Sequence, residues 1–415
     1  MEPKDLIKEK IDIVEFIREY VPLVQAGKNF KAPCPFHKER SASFIVSPER
    51  GTWHCFGSCN TGGDIFTFLM KHDSLEFFEA LTVLGERAGI SLGRGNFQSS
   101  REVNIIYEIL DNAKKYYLFR AKENPRMHSY LIERGVNEES INKFEIGLSD
   151  AKRDELTMFL IKQGYNVQDI LKSGLSIKSE RGGYFDRFRS RIMFPLFNTQ
   201  GKVVGFSGRI LPEFDTGNIA KYINSPETLV FKKSKTLYGF TIAKPAILGN
   251  RAAFVVEGQM DVIMAHQDGV PVTIGTSGIA LTVEHLNFLK KYADQLILAF
   301  DNDEAGASAT DKAIQLALAS DFKVKVMRLV GAKDAADLVK SKPGELLKAI
   351  RESVEVHDFY FNHFLSEGYD KERMKQYLIR AREVVSPIER SRFVRLASQK
   401  LGLREDDILS ELDML

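Results

Sequence analysis

The chain has 415 residues, too many for one compact core, so two to four domains are expected. Hydrophobic residues make up 44% and charged residues 27%, a globular balance, and no apolar run is long enough to cross a bilayer as a helix. A net charge of +2 does not by itself announce a polyanionic partner, and the charged N-terminus MEPKDLIKEK lacks a signal-peptide core, so a cytoplasmic location is expected.

The distribution of charge says more than its sum. Between Lys178 and Lys244 there are 12 Lys or Arg against 5 Asp or Glu, whereas Glu257 to Asp337 carries isolated acids close to glycines. A basic segment beside an acidic one suits an enzyme that holds a polyanion and also chelates metal.

In chain order, residues 4–21 place Leu6, Ile7, Ile11, Val14, Phe16 and Ile17 at helical spacing, ended by Pro22. From Gly27 to Gly63 the sequence is short, aromatic and turn-rich, which predicts small strands around a staple. A helical stretch follows over Ile65–Gly89. The polar, glycine-rich run Gly93–Ser100 predicts a flexible linker. Helices are expected over about 102–134, then a mixed α/β region to about residue 245. Beyond it, AAFVVEG, PVTIGTSG, QLILAFDND and KVKVMRLV alternate with helical stretches such as LTVEHLNFLKKY and ATDKAIQLALAS, a pattern that predicts a parallel sheet with covered faces. The last 60 residues show helical periodicity and no clear strand.

All three cysteines lie between Cys34 and Cys59. Cys34-Pro-Phe-His37 and Cys55-Phe-Gly-Ser-Cys59 form two close pairs of soft or borderline ligands separated by a loop, a spacing that can close a tetrahedral Cys3His zinc site. Four protein ligands leave no open position, so one structural zinc is expected, stabilising a module whose own core is small. Lys28, Lys31, Phe36, Lys38, Arg40, Phe44, Trp53 and Phe56 surround it, offering cations for phosphates and rings for bases, although some rings must build the core.

The acids form the second constellation. Glu257 follows an apolar strand, with Asp261 four residues on. Asp301 and Asp303 follow the next, and Asp334 and Asp337 follow Lys323–Val330. Acids at the carboxyl ends of parallel strands sit where ligands bind in open α/β sheets. Such carboxylates would repel one another unless divalent cations intervened, and hard oxygen ligands favour magnesium or manganese, as in phosphoryl transfer. The alternative for single members is helix capping, which Asp261 and Asp334 could do.

Between the constellations lie DRFRSRIMFP, GKVVGFSGR, KYINSP and FKKSKTLYG. The CPFH…HCFG run resembles the zinc-binding domain of bacterial DnaG-type primases. RIMFP, GFSGR and KYINSPET are similar to that family's polymerase-domain motifs, VVEGQMD with DNDEAG resembles its TOPRIM fold, and SPIERSRFV its helical subdomain. The likeness covers essentially the whole chain in the family's order. It implies a multidomain α+β and α/β protein: a zinc ribbon over 1–95, a linker over 96–103, a basic mixed α/β subdomain over 104–245, a TOPRIM core over 246–350 and a helical subdomain over 351–415.

The resemblance further implies a DNA-directed RNA polymerase that lays short RNA primers de novo on single-stranded DNA. Glu257, Asp301, Asp303 and Asp334 would organise the metals, supported by Asp261 and Asp337. Lys221 would join Glu257, Asp301 and Asp303 in catalysis, and Arg191, Arg209, Lys221 and Lys233 would bind nucleotide or template. Expected partners are single-stranded template, ribonucleoside triphosphates and the primer–template hybrid. The replicative helicase is a further expected partner, through a C-terminal domain that the family usually carries beyond the position of Leu415. Two departures stand out. The second cysteine pair is spaced Cys-x3-Cys where the family usually has Cys-x2-Cys, which makes His54 an alternative ligand. The last acidic pair is Asp334-Ala-Ala-Asp337, where many members have closer acids. A topoisomerase would need an active-site tyrosine, and none of the 13 has a recognisable setting; a helicase fusion would need GxxxxGK[ST], which is absent. A zinc protein that only binds DNA would have no use for acids at three strand ends.

Overall fold

The computed structural model describes residues 3–415 except 38, 40, 74, 76, 91–93, 181, 300–303, 330 and 385, and leaves the side chains of 78–79, 94–100 and 304–307 undescribed. The chain divides into two units, Met1–Ile109 and Leu110–Leu415.

In the first unit the expected N-terminal helix is two helices, Pro3–Lys10 and Ile13–Arg18. Asp12 separates them, because its carboxylate accepts the Val14 and Glu15 N–H groups and so starts a new helix. Ile7, Val14, Phe16 and Ile17 are buried as the periodicity predicts, whereas Leu6 is exposed. Strands β1 (Val24–Ala26), β2 (Asn29–Ala32), β3 (Phe44–Ser47), β4 (Thr52–Cys55) and β5 (Gly62–Gly63) pair antiparallel in sequence order. Strand alternation turns Trp53 and Cys55 inward and leaves His54 on the other face. Trp53 stacks on Phe44 at 5.1 Å between centroids and meets Phe68 edge-on at 6.0 Å, so aromatic packing backs the cysteine-bearing turns.

The predicted linker is helical where described: residues 94–122 form one helix, Arg94–Lys122. Its later part buries Ile106, Ile109, Leu110, Ala113, Tyr117 and Ala121 at helical spacing. A helix already stabilised by such a stripe adds turns cheaply, so glycine and serine at its start do not stop it. The second unit then builds an antiparallel sheet of order β11-β10-β9-β6 from β6 (Gly147–Leu148), β9 (Arg191–Phe197), β10 (Val203–Ile210) and β11 (Tyr222–Asn224), with β7 (Ser176–Lys178) and β8 (Tyr184–Asp186) paired separately.

The second sheet has the order β13-β12-β14-β15-β16, from β12 (Ala252–Val256), β13 (Thr273–Gly275), β14 (Gln295–Leu298), β15 (Lys323–Val326) and β16 (Val354–Glu355). Its first four strands are parallel, as predicted, and only β16 runs antiparallel. Ala253, Val255, Leu296 and Leu298 share one core with Tyr360, Tyr377 and Phe393 of the C-terminal helices, so the helical region packs as part of this layer. A polar tie reinforces the contact. Asp311, on the helix Glu304–Ala319 that follows β14, accepts two bonds of 2.8 Å from Arg380 and one of 2.6 Å from Tyr360. Burial and this carboxylate raise the Tyr360 phenol far above its ordinary range.

Removing Arg380 leaves Asp311 partly buried without its cation, so Arg380→Ala should cost about 1–3 kcal/mol in urea unfolding, with Arg380→Lys intermediate. A pH effect should accompany it. Burial lowers His266 and His285 each to about 4 from 6.5. Their unfolded forms protonate near 6.5, so stability should be lost as pH falls from about 6.5 toward 4, by on the order of 3 kcal/mol per histidine. Urea titrations at stepped pH check this, and His285→Gln should flatten the decline.

Candidate functional sites: a thiol–imidazole cluster and an acidic strand edge

Among the described residues, one group of three or more Cys, His, Asp or Glu side chains comes close enough to share an ion: Cys34, His37, Cys55 and Cys59, with ligand atoms all within 4.8 Å of one another. Each half is shaped by its turn. The Phe36 N–H points at Cys34 Sγ at 3.4 Å and the Gly57 N–H at Cys55 Sγ at 3.3 Å. Cys34 and Cys59 sulfurs lie 3.7 Å apart, and His37 Nδ1 is 3.8 Å from Cys55 Sγ. Burial pushes the Cys34 thiol up, and Cys59 is drawn down to about 7, where hydrogen bonds from Thr61 and the neighbouring ligands outweigh its burial. A thiol near neutrality beside a second thiol and an imidazole fits a thiolate-binding cation such as zinc. The extra residue in Cys-x3-Cys is accommodated, and His54 lies outside the group, its ring tilted against exposed Phe56. Lys38 and Arg40 lie outside the described residues.

Of the acids expected to converge, Glu257, Asp261, Asp334 and Asp337 lie among the described residues. Asp301 and Asp303 lie outside the described residues. Half-buried Glu257 follows β12 directly, and its carbonyl accepts the Gly278 N–H. Asp261 is 6% exposed, with one oxygen accepting Gly258 N–H at 3.1 Å and the other Ala336 N–H at 2.9 Å. It therefore ties the helix Gln259–Gln267 to the helix Ala335–Ser341. β15 ends at Val326, not at residue 330, so Asp334 arrives as the cap of Ala335–Ser341 and not at a strand end. It accepts Asp337 N–H at 2.7 Å, while Asp337 accepts Lys333 N–H at 3.2 Å. Asp334 is thus the N-cap of Ala335–Ser341, and Asp261 closes a capping box on Gly258.

The basic residues also divide. Arg191 is 4% exposed, and its guanidinium donates to the carbonyls of Gly208, Ala220 and Lys221 at 3.0, 3.0 and 3.3 Å. A buried arginine survives when carbonyls satisfy its donors, and Arg191 so anchors the turn that exposes Lys221. Arg209, 7% exposed, lies between the Tyr130 and Tyr222 rings at 5.4 and 5.3 Å and donates to the Tyr222 hydroxyl at 2.8 Å. Burial raises the Tyr222 phenol against the pull of Arg209, with Asp261 adding to the rise. Lys233 begins a short turn pinned by His285, whose Nε2 donates to the Lys233 carbonyl at 3.2 Å, and by Thr282, whose hydroxyl donates to Ser234 at 2.8 Å.

Lys233 shares a cleft with Asn224, Thr276 and Ser277, three residues that sequence reasoning did not single out. Asn224 Nδ2 donates to the Ser277 carbonyl at 2.9 Å, while Asn224 Oδ1, Thr276 Oγ1 and Ser277 Oγ are buried without a hydrogen-bond partner among the described residues. Ser277 sits at φ +59°, a strained value for a side-chain-bearing residue. These unpartnered polar atoms lie beside a lysine and next to the strand end that carries Glu257. The signal was present in KYINSP and in the turn GTSG after β13, but neither has a charged member at the position that matters.

Three family models match: CHC2 zinc finger over residues 2–99, DNA primase catalytic core, N-terminal domain over 115–244, and Toprim-like over 254–339. The DNA primase of Clostridium acetobutylicum is 30% identical over 412 residues, covering 97% of this chain, which spans 68% of that protein. The Aquifex aeolicus primase structure, comprising zinc-binding and RNA polymerase domains, matches 99% of both chains at 27% identity with a TM-score of 0.66. A DnaG primase catalytic domain solved with single-stranded DNA matches 74% of this chain and 99% of that one, at 27% identity and a TM-score of 0.63. With a cysteine–histidine knuckle, a basic antiparallel sheet and a parallel sheet in that order, and with relatives matched across nearly the whole length, the chain belongs to the bacterial DNA primases, nucleotidyltransferases that make RNA primers.

Proposed function

We propose that this chain starts RNA on single-stranded DNA from ribonucleoside triphosphates at the edge where β12 and β14 end. The observation that carries this reading is the parallel pairing of those neighbours, Val255 opposite Leu298, which delivers Glu257 and the chain leading to Asp301 and Asp303 to one side of the sheet. These three carboxylates are the proposed holders of divalent magnesium or manganese, which supplies neutralisation of triphosphate charge when bound. Asp261, Asp334 and Asp337 shape the edge through their amide contacts, with Asp334 and Asp337 nearer to solvent.

The chain's own groups account for the rest. Lys221 and Lys233 meet phosphates, held in place by Arg191 and His285 respectively. The Asn224, Thr276 and Ser277 atoms receive the hydroxyl or base edges of a nucleotide. Glu257, beside that cleft, accepts the proton of the attacking 3′-hydroxyl. Cys34, His37, Cys55 and Cys59 hold one zinc, and the module so stabilised contacts template through Lys28, Lys31 and the exposed ring of Phe56. Work at a cytoplasmic replication fork beside a helicase is the setting this reading implies.

Incubation with a single-stranded oligonucleotide, labelled ribonucleotides and magnesium tests it. Wild type should yield short RNA, and Glu257→Gln or Asp301→Asn should lower the rate on the order of a hundredfold or more while retaining template binding. Cleaved DNA without RNA would favour a nuclease. Template affinity should fall with rising salt, and Lys221→Ala should reduce the slope of log affinity against log salt by about 0.7. An unchanged slope would remove Lys221 from the template path.

A further inference from the structure

Glu39 lies two residues beyond His37 and is neither a metal ligand nor exposed. Its side chain is 9% accessible and that of His37 is 15%. Oε1 accepts the Cys34 N–H at 2.7 Å and the Ser43 N–H at 3.2 Å. Ser43 Oγ lies 2.7 Å from both carboxylate oxygens, and Oε2 stands 3.2 Å from His37 Nε2. A buried carboxylate with so many donors is the acceptor, so the imidazole nitrogen facing it carries the hydrogen. In a neutral ring that leaves the lone pair on Nδ1, the atom 3.8 Å from Cys55 Sγ.

Gly57 supplies an independent observation. A Cβ built there would sit 2.7 Å from Ser43 Oγ and 2.8 Å from both Glu39 Oε2 and His37 Nε2. Any side chain would press on the contact between histidine and carboxylate itself. Backbone angle does not call for glycine here, since Gly57 is absent from the positive-φ positions; what an added Cβ would meet are the ends of these three side chains.

We propose that Glu39 is a positioning residue for the metal centre: it locks His37 in the tautomer that offers Nδ1 to the ion. The same carboxylate ties the Cys34 backbone to Ser43 at the start of β3, so both members of the first ligand pair are set by one group. Gly57, from the second knuckle, closes over the contact without a side chain. A carboxylate behind a histidine ligand raises its basicity and fixes its ring, and loss of such a partner typically weakens metal binding by roughly 10–100-fold. The inference rests on the zinc reading of the four ligands.

Zinc affinity of the full chain, measured by competition with a chromophoric chelator, tests it together with nitrogen-resolved NMR of His37 in the zinc-loaded protein. Glu39→Ala should weaken zinc by roughly 10–100-fold. Glu39→Gln, which keeps the shape and one acceptor, should lose less, and Gly57→Ala should weaken zinc although every ligand is intact. The NMR should report metal on Nδ1 and hydrogen on Nε2 in wild type. Wild-type affinity in both Glu39 variants, or metal on Nε2, would overturn the proposal while leaving the four-ligand site standing. A wild-type chain that takes up no zinc would sink the underlying reading, and this one with it.

Discussion

Parallel pairing of β12 with β14 is the constraint on which the functional geometry depends. Parallel neighbours end at the same edge of a sheet, so Glu257 and the chain that follows β14 start from one edge. Phe254, Val255, Val256, Leu296, Ile297 and Leu298 are all withdrawn from water, so both faces of the paired strands are covered. The edge strand β13 is fastened to the basic region by a bridge between Tyr238 and Gly275, with bonds of 2.8 and 3.0 Å. That bridge joins the segment following Lys233 to β13, which pairs with β12, whose end carries Glu257.

A division of labour among charged groups follows from burial. Arg191, Asp261 and Asp186 are charged residues turned inward, each satisfied by several backbone groups. Their cost of desolvation is offset by these bonds, and what they gain is position. Lys221, by contrast, is exposed, as a reversible contact with template phosphates under the proposed function requires. The C-terminal helices contribute through the same logic, since Arg380 and Tyr360 converge on Asp311 of the helix that begins directly after the acidic segment.

Much of this was legible in the sequence because some chemistry is written in residue type and spacing alone. The thiol–imidazole site could be read because all cysteines crowd one short stretch, and strand alternation explains why Cys55 joins it and His54 does not. The parallel core was legible from short apolar runs alternating with helices. Contacts distant in sequence were not. Nothing near Asp261 announces that Ala336, 75 residues away, donates to it. A run of arginines reads as surface until β9 is seen to be covered, and the glycine-rich start of Arg94–Lys122 reads as a linker until the stripe behind it is counted.

Whether Glu257 and the segment carrying Asp301 hold one shared cation is the central question, and Mn2+ binding followed by electron paramagnetic resonance answers it most directly. Affinities of wild type, Glu257→Gln, Asp301→Asn and the double variant form a thermodynamic cycle. A shared ion predicts weaker binding in each single variant and a double variant scarcely worse than either. Independent, additive losses, or wild-type Mn2+ affinity in Glu257→Gln, would contradict it.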